Sequence, residues 1–462
     1  MLQRRGVASL ALVLYLATLS TDAIRKVAGL PTSLLGVVYV ITALIYVIVL
    51  PGIPRRKRET PHMLPACLFL LSLWCLAVAL VQHIPIETAL LGWLSYVFFV
   101  PLLYVGAELA ADDRLAAKAL KVVVISGGIV GAGSIASALL GNSAPRLLQP
   151  IIPSVGLHSF TTGSIYLAPS LFATAEEASE QLLIALFAWA ALTHMTSGRL
   201  RPIPSAFLGL LVASGLIVSA RRADIDVAIA GIIAVLIQGG GRVPASVRKL
   251  SAQTAAKTRG RLGATLFLAV AGSVVLVFFL GEAKLVPFLT SGSAGSRISS
   301  VFSFPNSGYL TGQGPGTSTQ GGAVVGVAPL NGNYVLGGRT FITAEGGLAK
   351  TWLELGIIGV VLYGAVFWVA LVPAIRSLRR LDGAGRALTM LAVALGVVFL
   401  KGHQSLDDPL IQPLFWLGVG GIWGRMRAVA GVSAGRNGRG VASSPTGRAA
   451  YAGTATSRRG SG

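Results

Sequence analysis

Long runs of apolar residues, separated by short polar segments, recur along the 462 residues of this chain. A helix needs about 20 mainly apolar residues to cross the hydrocarbon core of a membrane, and most of the runs approach this length. The pattern therefore predicts an all-α, polytopic integral membrane protein with about twelve transmembrane helices. The predicted spans lie near residues 7–24, 34–52, 63–82, 86–106, 121–140, 178–195, 203–219, 225–239, 262–281, 346–372, 387–401 and 409–424.

Two of the segments between the spans are long, and both are predicted to lie on the outer side of the membrane. They comprise residues 141–177 and residues 282–345, and the second is an extracytoplasmic loop of 64 residues rich in Gly, Ser and Thr. Loops of this length are usually functional or disordered, and these two carry too little apolar periodicity to form a core of their own. The end of the second loop, at 331–347, contains Asn, Tyr and Arg and is predicted to be ordered.

The chain divides by composition into two parts. Residues 1–424 form the predicted transmembrane domain, whereas residues 425–462 contain seven Arg and no acidic residue among Gly, Ala and Ser. A segment with few apolar residues and a high net charge cannot bury a core. The second part is therefore predicted to be a disordered, basic cytoplasmic tail that contacts lipid headgroups.

The basic residues are distributed unevenly between the two sides of the membrane. The formal net charge is +21, and with a cytoplasmic N-terminus 28 of the 38 Lys and Arg residues fall in inner segments. This asymmetry follows the positive-inside rule and predicts that both termini are cytoplasmic. The basic excess thus indicates topology and contact with membrane lipids, and nucleic acid is not a predicted partner. The first apolar run extends to Ile24 and is predicted to be a retained helix, with a cleaved signal peptide as the alternative.

The chain has two cysteines, Cys67 and Cys75, and both lie in one apolar run. They are predicted to be small packing residues, so the sequence indicates neither a metal site nor a disulfide framework. No cofactor is predicted.

Outer cations are candidates for function because ionisable groups near membrane depth are expensive to keep there. Arg221 and Arg222 lie in one of the shortest outer loops, against the positive-inside bias. Two adjacent guanidinium groups bind phosphate or pyrophosphate oxygens through bidentate hydrogen bonds; the alternative is contact with lipid headgroups. Asp224 and Asp226 follow at the predicted start of the next helix. They are expected to cap that helix or, alternatively, to be carboxylate ligands of Mg²⁺ or Mn²⁺. Arg339 adds a further outer cation.

The segment "EGGLAKTWLELGIIG" places a carboxylate ahead of a glycine-containing helix. On a continuous helix at 100° per residue, Gly356 and Gly359 fall within about 40° of the direction of Glu345. Small residues on one face allow a neighbouring helix to approach closely. Glu345 is therefore predicted at the outer end of a packed seam, where its alternative role is a favourable charge at a helix start. Lys350 and Glu354 fall on the far side and are predicted to form a local ion pair.

The last outer loop, "KGHQSLDDPL", gathers four polar side chains within a few residues. They are Lys401, His403, Asp407 and Asp408. This group either binds sugar or tunes Glu345, or it forms an ordinary solvated turn.

Taken together, two stretches resemble the O-antigen ligases and the related O-antigen polymerases. That family has about a dozen spans and a long outer loop before a late helix, which carries a His, an amide or Ser residue, nine residues and then Gly-x-x-Gly. Here Glu345 and Gly346 occupy the first two positions, and Gly356 and Gly359 the glycine positions. The stretch "SARRAD" (219–224) is similar to the family's Ser-Arg stretch at an outer helix start.

The resemblance implies a glycosyltransferase in the bacterial cytoplasmic (inner) membrane. Such enzymes move a glycan from an undecaprenyl-pyrophosphate carrier to an acceptor hydroxyl on a glycan or on a lipid-linked acceptor, at the outer face. It implies that Glu345 is the general base and that Arg221, Arg222 and Arg339 bind the pyrophosphate. Whether the chain is a polymerase or a ligase stays open.

Two other classes of protein also agree with these features. A transporter or flippase of lipid-linked or soluble solutes would account for charge within the membrane, although no internal repeat is visible and the link between spans six and seven is short. A non-catalytic scaffold for envelope assembly would tolerate changes at the outer arginines.

Overall fold

The computed structural model describes a predominantly helical chain. Within the described residues the chain forms twelve α-helices and two short β-hairpins. The described residues are 2–30, 32–52, 61–149, 157–160, 163–166, 168–172, 174–196, 202–219, 222–238, 310–318, 333–336, 339–342, 347–378, 380–401 and 408–440.

The helices coincide with the apolar runs. They are α1 (Leu2–Ala28), α2 (Gly36–Val49), α3 (Leu64–Val81), α4 (Ile86–Trp93), α5 (Leu102–Ala110), α6 (Asp113–Leu140), α7 (Ala175–Thr196), α8 (Pro202–Val218), α9 (Arg222–Gln238), α10 (Gly347–Arg376), α11 (Gly383–Lys401) and α12 (Gln412–Gly440). The predicted span at 86–106 consists of α4 and α5 joined by a π-helical turn, Leu94–Phe98. The predicted span at 262–281 lies outside the described residues.

Six of the helical segments in the described part of the chain are long and apolar enough to cross a membrane. They are Gly6–Ala28, Leu64–Val81, Ile86–Ala110, Asp113–Leu140, Gly347–Arg376 and Gly383–Leu400. The prediction of a helical membrane protein is confirmed at this level, while the number of twelve spans and the side on which the termini lie stay predictions. Shorter apolar helices occur at Gly36–Val49 and Pro204–Val218.

Both hairpins lie in the long loops. β1 (Leu157–Phe160) pairs antiparallel with β2 (Gly163–Tyr166). β3 (Asn333–Leu336) pairs antiparallel with β4 (Arg339–Ile342). The second hairpin falls in the part of the loop, 331–347, that the sequence predicts to be ordered.

The bundle exposes apolar side chains and buries polar ones, as expected for a protein whose surroundings are lipid. Val47, Phe69 and Trp368 are more than half exposed, whereas Lys350 and Glu354 are almost completely buried. Such an arrangement would be costly for a protein surrounded by water, so it supports the assignment to a membrane.

Close helix packing depends on glycine. A Cβ on Gly106 of α5 would lie 2.1 Å from the carbonyl oxygen of Leu417 in α12, and one on Gly420 would lie 2.0 Å from that of Leu103. α6 and α8 approach in the same way, because a Cβ on Gly215 would lie 2.5 Å from the Cα of Gly131. Small residues permit this backbone contact where lipid supplies no hydrophobic driving force between helices.

The contacts define two ends of the bundle. At the inner end, so called from the predicted topology, Arg425 of α12 forms ion pairs with Asp113 at the start of α6 and with Asp382 just before α11. Arg427 pairs with Glu108 of α5 at 2.8 Å. Helix α12 continues to Gly440, so the tail predicted from residue 425 begins as a helix whose first two arginines are buried.

At the outer end, the end of α1 meets the starts of α7 and α12. The Lys26 ammonium donates to the carbonyl oxygens of Leu147 and Ser170, at 3.1 and 2.9 Å. The Glu177 carboxyl group interacts with Asp22 and Asp408. The end of α1 and the starts of α7 and α12 thus lie at the same end of the bundle.

Candidate functional site at the outer end

Helix α10 is broken at the first glycine of the predicted seam. Gly356 has φ 67° and ψ −170°, which no residue of a continuous α-helix adopts. The prediction of one regular helix that carries Gly356 and Gly359 on the same face is therefore wrong, because the projection at 100° per residue does not pass through the break. Gly356 serves instead to turn the backbone, which glycine does at little steric cost.

A glycine-rich segment, Leu310–Ser318, occupies this break. In a continuous helix the carbonyls of residues 353–355 would accept from amides four residues later, and the break removes those donors. The amides of Gln313 and Gly314 donate to the first two carbonyls, at 2.6 and 2.9 Å. The indole of Trp74 donates to the third at 2.9 Å. We call Leu310–Ser318 the re-entrant segment, since it comes from the predicted outer loop and enters the helical bundle.

The re-entrant segment fits only because it is rich in glycine. Gly312, Gly314 and Gly316 all have positive φ, at 70°, 122° and 86°. A Cβ on Gly316 would lie 2.0 Å from the carbonyl oxygen of Thr88, and one on Gly92 of α4 would lie 2.1 Å from the Gly316 amide nitrogen. The spacing Gly-x-Gly-Pro-Gly is the signal in the sequence from which this contact could have been predicted.

Glu354 holds the end of the re-entrant segment. Its side chain is fully buried, and its Oε1 accepts from the Ser318 amide at 2.7 Å while its Oε2 accepts from the Tyr96 hydroxyl at 2.9 Å. Hydrogen bonds to an ionised carboxylate are about twice as strong as neutral ones. Glu354 therefore joins three parts of the chain: α10, the re-entrant segment and the π-helical turn.

Lys350, one turn before Glu354, is 2% exposed. Its ammonium donates to the Ser95 hydroxyl at 3.3 Å and lies 4.7 Å from the centre of the Tyr96 ring, an arrangement that adds cation–π attraction. The sequence predicts a local ion pair of Lys350 and Glu354; in the structure their printed hydrogen bonds run to the π-helical turn and to the re-entrant segment. Both side chains face the interior of the bundle.

The π-helical turn presents the partners of both residues. Pro101 has no amide hydrogen, so the Val97 carbonyl accepts from Val100 at 3.3 Å and the regular ladder of α-helical bonds is interrupted. The Ser95 carbonyl accepts from the Gln412 amide at 2.5 Å. Gln412 is buried, and its own Oε1 has no hydrogen-bond partner among the described residues.

A second polar cluster surrounds the end of α1. Asp22 and Lys26 are buried there, and Arg25 forms an ion pair with Asp22. The carboxyl group of Glu177 forms a hydrogen bond with Asp22 and lies near Asp408. The outer end thus combines buried cations with buried carboxyl groups.

The predicted site residues lie next to these clusters in sequence. Arg221, Glu345, His403 and Asp407 are outside the described residues. Arg222 begins α9 and Arg339 begins β4; their backbones are described, and their side chains are not. The described structure therefore does not test whether these six side chains meet.

The side chains of Asp224 and Asp226 lie in different surroundings. Asp224 is buried and bonded to the Ser179 hydroxyl of α7, whereas Asp226 is exposed. The two carboxylates do not converge as ligands of one metal ion, and no group of three or more His, Cys, Asp or Glu residues suited to a metal occurs in the part of the chain that is described.

Comparison of the chain with models of known protein families and with curated proteins finds no match. The class that the fold itself defines is a helical membrane protein, with six helices in the described residues that are long and apolar enough to span. Its buried polar groups at the outer end are the basis for the proposal that follows.

Proposed function

We propose that this protein is a membrane glycosyltransferase that transfers or polymerises undecaprenyl-pyrophosphate-linked oligosaccharide at the outer face of the bacterial cytoplasmic membrane. The acceptor is a hydroxyl group of a glycan or of a lipid-linked molecule, and the reaction needs no cofactor. The observation that supports the proposal most directly is the anchoring of three candidate segments at the outer end of one bundle.

The first two anchors are on α7. Asp224, two residues after Arg222, bonds to Ser179, and Asp408, the residue after Asp407, lies near Glu177. Ser179 and Glu177 belong to the first two turns of the same helix. Segments that are almost two hundred residues apart in sequence are therefore attached to one short stretch of α7.

The third anchor is the start of α10. A Cβ on Gly347, two residues after Glu345, would lie 2.1 Å from the ring of Phe399 near the end of α11. Phe399 precedes His403 by only four residues. The segment that carries the proposed base and the last outer loop thus leave the bundle from adjoining helix ends.

The proposed chemistry uses these segments together. Arg221, Arg222 and Arg339 bind the pyrophosphate of the carrier through charge-assisted hydrogen bonds. The acceptor hydroxyl attacks the anomeric carbon of the donor glycan while Glu345 accepts the hydroxyl proton, and undecaprenyl pyrophosphate leaves with the bonding electrons. His403 and Asp407 contribute polar contacts to sugar.

The re-entrant segment supports this arrangement. A catalytic carboxylate must be held in place to within a fraction of an ångström. Glu354 and the carbonyls of residues 353–355 attach the first turns of α10 to the re-entrant segment and to α3. The helix that follows Glu345 is thereby fixed relative to its neighbours.

The test is reconstitution of the purified full chain with an undecaprenyl-pyrophosphate-linked oligosaccharide. Lengthening of the glycan or its transfer is expected, and the double variant Arg221→Gln, Arg222→Gln should lose donor use severely. Lys at either position should restore activity only in part, because it lacks the planar fork of Arg. Arg376→Gln, an exposed arginine at the end of α10, is the matched control. Full activity of the double Gln variant at normal expression would refute the assignment of the arginines.

A transporter or flippase is the second candidate function, and one observation favours it. Transporters commonly place a broken helix and buried ionisable groups at the substrate site, and α10 is broken at Gly356 beside Lys350 and Glu354. This alternative predicts movement of a lipid-linked glycan across vesicle bilayers without any new glycosidic bond. The same reconstitution distinguishes the two, since only the transferase changes the length or the attachment of the glycan.

A further inference from the structure

An apolar cavity lies in the inner half of the bundle, away from the outer end. Its volume is about 680 Å³, and it is bounded by α1, α5, α6, α7, α11 and α12. Its walls are mainly Ala, Leu, Val and Gly, with Ser9, Tyr15, Lys118 and Arg425 as its polar lining residues. Binding sites for small molecules have volumes of about 300–1,000 Å³ and are mostly apolar with few polar groups.

The cavity reaches the surface of the bundle between α1 and α6. Leu12 of α1 lines it and is 38% exposed, and Lys118 and Ala119 of α6 line it and are exposed as well. An apolar cavity that opens on a lipid-facing surface is accessible to an acyl chain directly from the bilayer.

Three cations stand on one face of α6 beside this opening. Arg114, Lys118 and Lys121 are all exposed, and at 100° per residue their directions fall within about 60° of one another. They are separated by about one turn each, so they form a basic stripe along the start of the helix.

The carboxylates next to this stripe are bonded to other groups and do not pair with its three cations. Asp112 caps α6 by accepting from the amides of Arg114 and Leu115 at 2.9 and 3.2 Å, and Asp113 pairs with Arg425. Arg425 is itself held by Asp113 and Asp382, so its charge is balanced. No ion pair engages the side chains of Arg114, Lys118 or Lys121 within the described residues.

We propose that the cavity and the basic stripe form a binding site for one anionic phospholipid of the leaflet at the inner end. An acyl chain occupies the cavity, and the phosphate group lies against Lys118 with Arg114 and Lys121 on either side. Basic sites between transmembrane helices at the cytoplasmic side bind anionic lipid headgroups by this combination of burial and charge. The site does not depend on the proposed glycosyltransferase activity.

Two substitutions separate the headgroup from the acyl chain. Lys118→Gln removes one cation and should weaken binding of an anionic phospholipid about fivefold, with little effect on a zwitterionic one. Gly418→Leu fills the cavity: a Cβ there would contact Leu391 Cδ2 at an ordinary 3.8 Å, so the backbone need not move. It should weaken both lipids. Gly396→Leu, on α11 with open space around its Cβ, adds the same side chain elsewhere and is the control.

The measurement is native mass spectrometry of the full chain, titrated with phosphatidylglycerol or with phosphatidylcholine of the same acyl chains. The wild-type chain and Gly396→Leu should retain one phosphatidylglycerol in preference to phosphatidylcholine. Should Gly418→Leu fail to fold, Ala119→Trp blocks the opening from an exposed position and should have the same effect. Equal retention of the two lipids by the wild-type chain, or unchanged phosphatidylglycerol binding when the cavity is filled or blocked, would overturn the proposal.

Discussion

The two ends of the bundle bury charge in different ways. At the inner end Arg425 and Arg427 are bonded to carboxylates of neighbouring helices, so each cation has a direct counterion. At the outer end Arg25 likewise pairs with Asp22, but Lys26 is bonded to backbone carbonyls, and the side-chain amides of Gln181 and Gln412 keep polar atoms without a partner in the described residues. Buried polar groups normally find partners, so the amides of Gln181 and Gln412 can bond to a ligand at the outer end, whereas at the inner end Arg427 Nε is an atom of this kind.

Burial alone does not separate charges that stabilise the fold from charges that take part in function. Ion pairs such as those at the inner end neutralise one another and hold helix ends together. The outer groups contact loops and a broken helix, and the proposed function places the substrate at this end. Substitutions at the outer end should therefore affect activity, and comparable ones at the inner end should affect mainly stability.

The largest expected effect belongs to the proposed base. Glu345→Gln should lower turnover about 10²–10⁴-fold, since general-base catalysis contributes on that order, while folding and donor binding stay nearly intact. Glu345→His should keep measurable activity, with a pH profile moved toward the range in which imidazole titrates. Asp382→Asn, at the inner end, is the control and should leave turnover per folded molecule unchanged. A Gln variant with wild-type turnover would leave Glu345 as a charge at a helix start.

The next effect concerns the fit of the re-entrant segment. Gly316→Ala should destabilise the protein by at least about 2 kcal/mol, because the residue has positive φ and its Cβ would collide with the Thr88 carbonyl. Gly364→Ala, in helix α10 with open space around its Cβ, should be neutral or stabilising by up to about 1 kcal/mol. Thermal unfolding in detergent measures both. Equal unfolding temperatures for the two variants would contradict the packing described for Gly316.

Glu354→Gln tests the connection between α10 and the re-entrant segment. The amide cannot accept both hydrogen bonds as well as the carboxylate does, and a buried donor left without a partner costs about 1–3 kcal/mol. Hydrogen exchange at residues 310–318 should become faster. Glu108→Gln, which weakens the inner pair with Arg427, should leave exchange at residues 310–318 unchanged. Equal protection of the segment in wild type and Glu354→Gln would show that Glu354 does not hold it.

The smallest effect is expected at the rim of the inner end. The side chain of Asp113 is 75% exposed, and exposed ion pairs contribute about 0–1 kcal/mol. Asp113→Asn should therefore lower stability by less than about 1 kcal/mol, since Arg425 keeps Asp382 as its partner. A loss of several kcal/mol in the free energy of chemical unfolding would contradict the small contribution expected of the Asp113–Arg425 pair.

The sequence predicts the helices well because an apolar run of spanning length has few alternatives in lipid. It fails at Gly356, where the break depends on donors supplied by residues 313 and 314 and by Trp74. No periodicity within α10 reveals partners that are so far away in sequence.

The burial of Lys350 and Glu354 could not be predicted from the sequence, for a related physical reason. A spacing of four residues is the same for a pair at the surface and a pair inside. In a membrane helix both faces are apolar, so the side that packs inward is decided by the neighbouring helices. The candidate residues that sequence reasoning selected lie mostly outside the described residues, and their roles stay proposals.

The re-entrant segment also divides the long predicted outer loop into two parts. It attaches the chain near the middle of residues 282–345, with 28 residues before it and 27 after it. One connection of 64 residues is therefore divided into two shorter ones that share an anchor. The entropy of closing a loop grows only slowly with length, by about 0.6 kcal/mol per doubling. Insertions on either side of the anchor should therefore cost little stability, and they could add surface for an acceptor.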